Sequence, residues 1–224
     1  MVAYQLLRRH ARGFGTALAD RLMDEFEAMA LRTLEGQATE LGWQRDNVVA
    51  LAPEDYLQLI MHKTCWYTTI HPLRVGALIG SRGAVDLRPM VRFGFVLGAA
   101  FQIRDDLLNL VGDSTQYGKD LNGDLYEGKR TLMLIHLIAE ARGSDRETVA
   151  MYLGTPRHRR TAEQVAEIRH LMDAYRSIGF ALEYAQGIAS AAEAAFDDAF
   201  EQARPGPDTD FVRALIPYMI GREA

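Results

Sequence analysis

Apolar residues recur every three or four positions through almost the whole chain, as they do on the buried face of an α-helix. The first such stretch runs from about residue 4 to residue 41 and carries Leu18, Leu22 and Phe26 on one face. No stretch alternates strictly between polar and apolar residues, so no strand is predicted. The pattern therefore predicts an all-α fold.

Prolines and glycines divide this pattern into separate helices. Pro53, followed by two acidic residues, is typical of a first helical turn, where the helix dipole favours negative charge. Pro72 predicts a kink or a break because its ring removes a backbone donor. The predicted helices span about residues 4–41, 53–79, 86–111, 131–142, 144–153, 162–203 and 208–220.

Length and composition narrow the class of protein. The 224 residues suffice for one large core, and we predict a single all-helical domain over residues 1–224. The net charge of −5 argues against a nucleic-acid partner, and the basic run 157–160 is interpreted as a solvated loop. Cys65 is the single cysteine, which fits a reducing, cytoplasmic compartment. The longest apolar run falls short of the roughly 20 residues of a transmembrane segment, so none is expected.

Polar residues at the end of the third predicted helix give the strongest sign of chemistry. An apolar stretch leads into Phe101, Gln102, Asp105, Asp106 and Asn109. Spacings of three and four predict that Gln102, Asp105 and Asn109 share a face, with Asp106 about 100° round the helix. Two adjacent carboxylates repel each other unless a cation lies between them, and Mg2+ prefers such oxygen ligands. The alternative is a polar helix end that faces solvent.

Lysine occurs at only three positions, whereas the other cations of the chain are arginines and a few histidines. Lys119 and Lys129 each follow a glycine after the paired carboxylates, and Lys63 precedes Thr64 inside an apolar helix. Glycine lets the backbone approach an anion closely, and lysine supplies a compact positive charge. The pattern favours an anionic, phosphate-bearing ligand. Solvated loop lysines and an outward-facing Lys63 are the alternatives.

Three segments, in this order, resemble motifs of the trans-isoprenyl diphosphate synthases, the polyprenyl synthetase family. Residues 36–41 are similar to a Gly-Gln-x-x-Asp-Leu segment, with Glu40 in place of aspartate. Lys63 and Thr64 resemble the Lys-Thr pair that contacts the allylic diphosphate. Residues 101–131 resemble the second aspartate-rich motif and its lysines, with Asn109 where aspartate is usual.

The resemblance implies an isoprenoid synthase-type helical bundle with a central pocket. It implies a Mg2+-dependent prenyltransferase of isoprenoid biosynthesis that condenses isopentenyl diphosphate with an allylic prenyl diphosphate, of the geranylgeranyl or farnesyl type. The metal ligands would be Asp105, Asp106 and Asn109. The substrate-binding residues would be Gln37, Lys63, Thr64, Phe101, Gln102, Lys119 and Lys129. Of these, the catalytic residues would be Lys63, Thr64, Gln102, Lys119 and Lys129.

The family's first aspartate-rich motif, DDxxD, is not found in this sequence, and three hypotheses follow from that. The chain is the C-terminal part of an ordinary synthase, without its N-terminal helices, and is weakly active or inactive alone. Or it is a non-catalytic subunit that pairs with a complete synthase and modulates its product length. Or it is a terpene synthase-like diphosphate lyase. A homodimer, or a heterodimer with a complete synthase, is expected.

Overall fold

The computed structural model describes residues 2–111 and 122–221 of the protein. Within these ranges the chain is helical almost throughout and has no strand, which confirms the all-α prediction. The helices are α1 (Val2–Ala11), α2 (Thr16–Arg45), α3 (Pro53–Ile60), α4 (His71–Gly80), α5 (Arg88–Val111), α6 (Gly123–Glu127), α7 (Leu132–Glu140), α8 (Gly143–Gly154), α9 (Ala162–Ala174), α10 (Ser177–Ser190), α11 (Ala192–Phe200) and α12 (Pro207–Gly221). A π-helical segment, Met61–Ile70, joins α3 to α4.

Two long predicted helices are broken by backbone conformations that periodicity does not reveal. The stretch predicted over residues 4–41 is interrupted by a 3-10 turn at Arg12–Phe14 and by Gly15, whose φ is +88°. The stretch predicted over 162–203 is three helices, separated at Arg176, which adopts a left-handed conformation with φ +57°, and again at Ala191. Both predictions were correct about helical content and wrong about continuity.

The second predicted helix is continuous but changes its winding. The N–H of His71 donates to the carbonyl of Trp66, five residues back, as a π-helix requires. Thr69 Oγ1 donates to the carbonyl of Cys65 at 3.0 Å and thereby satisfies another backbone acceptor. The predicted break at Pro72 is therefore wrong in kind and position: the irregularity is a π segment that ends before the proline. Lys63 and Thr64 lie inside it.

Three glycines bring the π segment against its two neighbouring helices. A Cβ added at Gly36 of α2 would lie only 2.4 Å from the backbone nitrogen of Lys63. On α5, an added Cβ at Gly94 would lie 2.9 Å from Ile70 Cα, and one at Gly98 would lie 2.9 Å from Cys65 Sγ. The π segment is thus held between α2 and α5.

We predict that Gly36→Ala lowers the free energy of unfolding by about 1–3 kcal/mol, the usual cost of an overpacked contact. Gly42→Ala is the matched control, because it lies on the same helix and its added Cβ meets no atom within 4 Å. That control is expected to be neutral or stabilising by up to about 1 kcal/mol. Urea unfolding of both variants measures the difference, and equal stabilities would contradict the predicted contact.

Candidate functional site

A cleft of about 210 Å³ lies between α2, α3, the π segment, α5 and the turn that precedes α7. It brings together five predicted site residues from three separate segments of the sequence: Lys63, Thr64, Gln102, Asp106 and Lys129. The complete lining within the described residues is Glu40, Tyr56, Leu59, Ile60, Lys63, Thr64, Tyr67, Gln102, Asp106, Lys129, Arg130 and Thr131. The cleft therefore combines both signs of charge with an apolar wall.

Asp106 is the buried acid of the cleft, with 7% of its surface exposed. Its carboxylate accepts hydrogen bonds from the Tyr56 hydroxyl at 2.8 Å and from Gln102 Nε2 at 2.7 Å. Burial and, after it, the charge of Asp124 raise the pKa of Asp106 to about 7, against the opposing effect of the two hydrogen bonds. Burial, followed by the charge of Asp106, raises the pKa of Tyr56 well above its ordinary value. The described hydrogen-bond donors to Asp106 are thus both uncharged side chains.

The inward face of α5 differs from the predicted one. Gln102 pairs with Asp106, four residues on, and both line the cleft, whereas Asp105 is partly buried beside them. Both three- and four-residue spacings bring side chains together on a helix, so spacing alone left the choice open. The contact from Tyr56 on α3 decides which carboxylate turns inward.

Lys63 forms an ion pair with Glu40 of α2 at the edge of the cleft. Both side chains are largely buried, with 25% of the lysine side chain and 11% of the glutamate side chain exposed. A buried charge of either sign requires such a partner. Gly36, which packs closely on Lys63, lies one turn before Glu40 on the same helix. This packing brings the lysine within reach of the glutamate. Lys63 therefore faces inward, as predicted.

Lys129 reaches the cleft from the turn after α6. Its Nζ lies 2.5 Å from Asp124 Oδ1 and 3.3 Å from Glu127 Oε2. Burial lowers the pKa of Lys129, but the hydrogen bond and charge of Asp124, with the charge of Glu127, outweigh burial and raise it overall. Asn109 Oδ1 accepts a hydrogen bond from the backbone N–H of Asp124 at 3.0 Å. In this conformation Asn109 holds the start of α6.

Arg130 is buried beside Lys129, with 4% of its surface exposed. It donates to the carbonyls of Val48 at 2.9 Å and Gly128 at 2.6 Å, and to Asn47 Oδ1 at 2.7 Å. Burial, together with the positive charge of Arg160, lowers the pKa of Arg130. Its charge is balanced by dipoles rather than by a carboxylate in these contacts, so it adds positive potential to the cleft.

The remaining predicted residues are less closely tied to the cleft. Gln37 lines an adjacent cleft of about 710 Å³, which shares Glu40 with the first. Phe101 is partly buried on α5 and is not among the described residues that line the cleft. Lys119 lies outside the described residues.

The donors present fit a Mg2+ ion. Within residues 2–111 and 122–221, no three His, Cys, Asp or Glu side chains are grouped to hold a metal by themselves. Mg2+ normally needs only one or two carboxylates and completes its shell with water and substrate phosphates. Asp105 and Asp106 are adjacent, and the charges of Asp124 and Asp105 raise the pKa of Asp106, so a cation here would relieve repulsion. Asp105 and Asp106 are therefore the residues that would hold it.

Sequence reasoning missed three partners: Tyr56, Asp124 and Arg130. Tyr56 lies seven residues before Lys63, a helical spacing that places both on one face and would have identified the tyrosine. Arg130 stands directly after Lys129, within residues 101–131. Asp124 gave no signal, because its contact depends on how the chain returns after α5.

Comparison with known proteins identifies the family. The polyprenyl synthetase family profile matches residues 1–172 of the chain. The chain belongs to the polyprenyl synthetase family.

Curated relatives carry the names of prenyl diphosphate synthases. The chain is 32% identical over 152 residues to the geranylgeranyl diphosphate synthase of Sulfolobus acidocaldarius, which covers 68% of this chain and 45% of that protein. It is 31% identical over 185 residues to the octaprenyl diphosphate synthase of Escherichia coli, and this match covers 81% of this chain and 52% of that protein. The chain thus spans about half the length of these relatives.

Solved structures share the fold. A geranylgeranyl pyrophosphate synthase of Corynebacterium glutamicum, complexed with isoprenyl diphosphate and magnesium, matches with a TM-score of 0.80 and 24% identity. The match covers 94% of this chain and 58% of that chain. A polyprenyl synthase of Caulobacter crescentus matches with a TM-score of 0.76 and 24% identity, over 91% of this chain and 60% of that chain. The predicted isoprenoid synthase-type bundle is therefore confirmed.

The hydropathy of the helices bears on membrane contact. In the described part of the chain, no helix combines the length and the apolar character needed to cross a bilayer.

We predict that Asp106→Asn removes a pH dependence of stability. The proton of Asp106 leaves the folded protein near pH 7 and the unfolded chain near the ordinary value of 3.8. Between these values the folded state binds more protons, so the contribution of Asp106 to the free energy of unfolding falls as pH rises from 4 to 7. Above pH 7 the loss is complete, and the asparagine variant should be the more stable protein.

Urea unfolding between pH 4 and pH 8 in EDTA measures this difference. Asp20→Asn, on the exposed surface of α2, is the control for removing one carboxylate. Parallel stability curves for the wild type and Asp106→Asn over this range would contradict the prediction.

Proposed function

We propose that the chain is a Mg2+-dependent prenyltransferase of isoprenoid biosynthesis, which condenses isopentenyl diphosphate with an allylic prenyl diphosphate. One observation carries the proposal: Lys63 and Lys129, from separate elements, converge on the same cleft as Asp106. Membership of the polyprenyl synthetase family and the names of the curated relatives support it. A geranylgeranyl-type product and a cytoplasmic location are parts of the proposal.

The lysines would bind the diphosphate of the allylic substrate. Each already has an internal counter-ion, Glu40 for Lys63 and Asp124 for Lys129. An ammonium group has three donors, so each lysine is able to keep its carboxylate and still donate to a phosphate oxygen. The counter-ions therefore hold the lysines in place before the substrate arrives, which reduces the entropy lost on binding.

The reaction requires that diphosphate departs from the allylic substrate and that water is kept away from the resulting cation. Mg2+, held by Asp105 and Asp106, would supply the charge neutralisation that makes diphosphate a good leaving group. The allylic carbon–oxygen bond breaks with both electrons going to the diphosphate, whose charge Lys63 and Lys129 stabilise. The double bond of isopentenyl diphosphate then attacks the allylic cation, and the adduct loses a proton to the diphosphate. Leu59 and Ile60 would exclude water from the cation.

Assembly with a second subunit is also part of the proposal. Three leucines of α2 are exposed on one side of the helix, with 57% of Leu31, 68% of Leu34 and 55% of Leu41 accessible. An exposed apolar stripe of this kind favours a covering partner. A homodimer, or a heterodimer with a complete synthase, would cover it.

We predict that the protein binds farnesyl diphosphate in the presence of Mg2+ and that Lys63→Met weakens this binding roughly tenfold to a hundredfold, the contribution of one or two charged hydrogen bonds. Asp106→Asn should remove most of the Mg2+ dependence of farnesyl diphosphate binding. Titration calorimetry with and without EDTA measures both effects, and phosphate analysis measures released diphosphate.

Arg92→Met, on the exposed side of α5, is the control because it removes one positive charge away from the cleft lining. The proposal fails if the wild type does not bind the diphosphate in Mg2+. It also fails if Lys63→Met binds as tightly as Arg92→Met.

A further inference from the structure

Helix α6 is held from outside by the loop after α8. It has only five residues, Gly123–Glu127, so most of its carbonyls have no partner within the helix. Arg160 Nη1 donates to the carbonyl of Tyr126 at 2.8 Å and to that of Leu125 at 3.3 Å. The hydroxyl of Tyr152 donates to the same Leu125 carbonyl at 2.5 Å. A cation at the C-terminal end of a helix is also favoured by the helix dipole.

The guanidinium of Arg160 is enclosed on two sides. Its Cζ lies 4.8 Å from the centre of the Tyr152 ring, a cation–π contact. On the other side, a Cβ added at Gly128 would lie 2.5 Å from Arg160 Nη1, and the φ of Gly128 is +69°. The interpretation of residues 157–160 as a solvated loop is therefore wrong for Arg160, although Arg157 and Arg159 are exposed.

The turn that Arg160 supports carries the cations of the cleft. The N–H of Gly128 donates to the Leu125 carbonyl at 2.9 Å, and the N–H of Lys129 donates to the Asp124 carbonyl at 3.0 Å. The side chain of Lys129 is held by Asp124 and Glu127, both on α6. Arg160 supports this arrangement through α6 and the Gly128 turn, since none of its described contacts is with Lys129.

We propose that Arg160, together with Tyr152, is a positioning residue that fixes α6 and the Gly128 turn so that Lys129 points into the cleft. Its relevance to diphosphate binding rests on the proposed function. An arginine suits the task because its planar group reaches two carbonyls while it stacks on a ring, whereas a lysine offers only a point charge.

The first test needs no ligand. Because the chain has three lysines, the protein labelled with 13C at lysine Cε gives three side-chain NMR signals, assigned by Lys→Arg variants. Arg160→Gln should shift or broaden the Lys129 signal and leave that of Lys63 in place. Tyr152→Phe, which removes only the hydroxyl, should act in the same direction and covers the case in which Arg160→Gln does not fold. Arg159→Gln, an exposed change in the same loop, should move neither signal.

An unchanged Lys129 signal in folded Arg160→Gln and in Tyr152→Phe would overturn the proposal. Equal movement of the Lys63 and Lys129 signals would overturn it too, because it would show a general loss of packing.

The second test measures the affinity for inorganic diphosphate in Mg2+. Arg160→Gln should weaken binding roughly tenfold, about the contribution of one charged hydrogen bond. Arg160→Lys should recover only part of this affinity. In a Lys129→Met background, Arg160→Gln should cause no further loss, whereas fully additive losses would overturn the positioning role. If the wild type does not bind diphosphate, the proposed function fails, while the NMR comparison still decides whether Arg160 positions Lys129.

Discussion

The site depends on how closely the π segment lies between α2 and α5. Gly36 removes the side chain that would separate α2 from Lys63, and Gly94 and Gly98 do the same for α5. This closeness lets Lys63 reach Glu40 across one interface. On the α5 side, the Tyr56 hydroxyl of α3, which leads into the π segment, reaches Asp106. Separation of these helices by the width of a methyl group would leave charged groups buried without partners, and such groups are costly.

The described charges of the cleft compensate one another only in part. Glu40 pairs with Lys63 and Asp124 pairs with Lys129. Asp106, the best-buried of these acids, accepts its described hydrogen bonds from the uncharged Tyr56 and Gln102. Burial of such a group without a counter-ion destabilises the folded state. Buried charges without an ionic partner are common at functional sites, where a bound species supplies the compensating interaction.

The sequence was sufficient to predict the helices and the residue types of the site, because both follow from short-range patterns. Gln102, Lys63 and Lys129 are recognisable within segments of a few residues. The π winding at Met61–Ile70 was not predictable, since its apolar spacing reads equally well as an α-helix. The inward turn of Asp106, rather than Asp105, depends on Tyr56, which is 50 residues away. The left-handed Arg176 also gave no signal, because arginine has no preference for that conformation.

The winding of the π segment sets the direction in which α3 faces relative to α4. A π-helix closes its hydrogen bonds over five residues, one more than an α-helix. If the ten residues Met61–Ile70 wound as an ordinary α-helix instead, α3 would turn relative to α4, by about 100° for each residue that the π winding takes up. Tyr56 would then face away from Asp106, although hydrophobicity and charge would hardly change. The π winding thus lets extra residues fit between α3 and α4 while Tyr56 still faces Asp106.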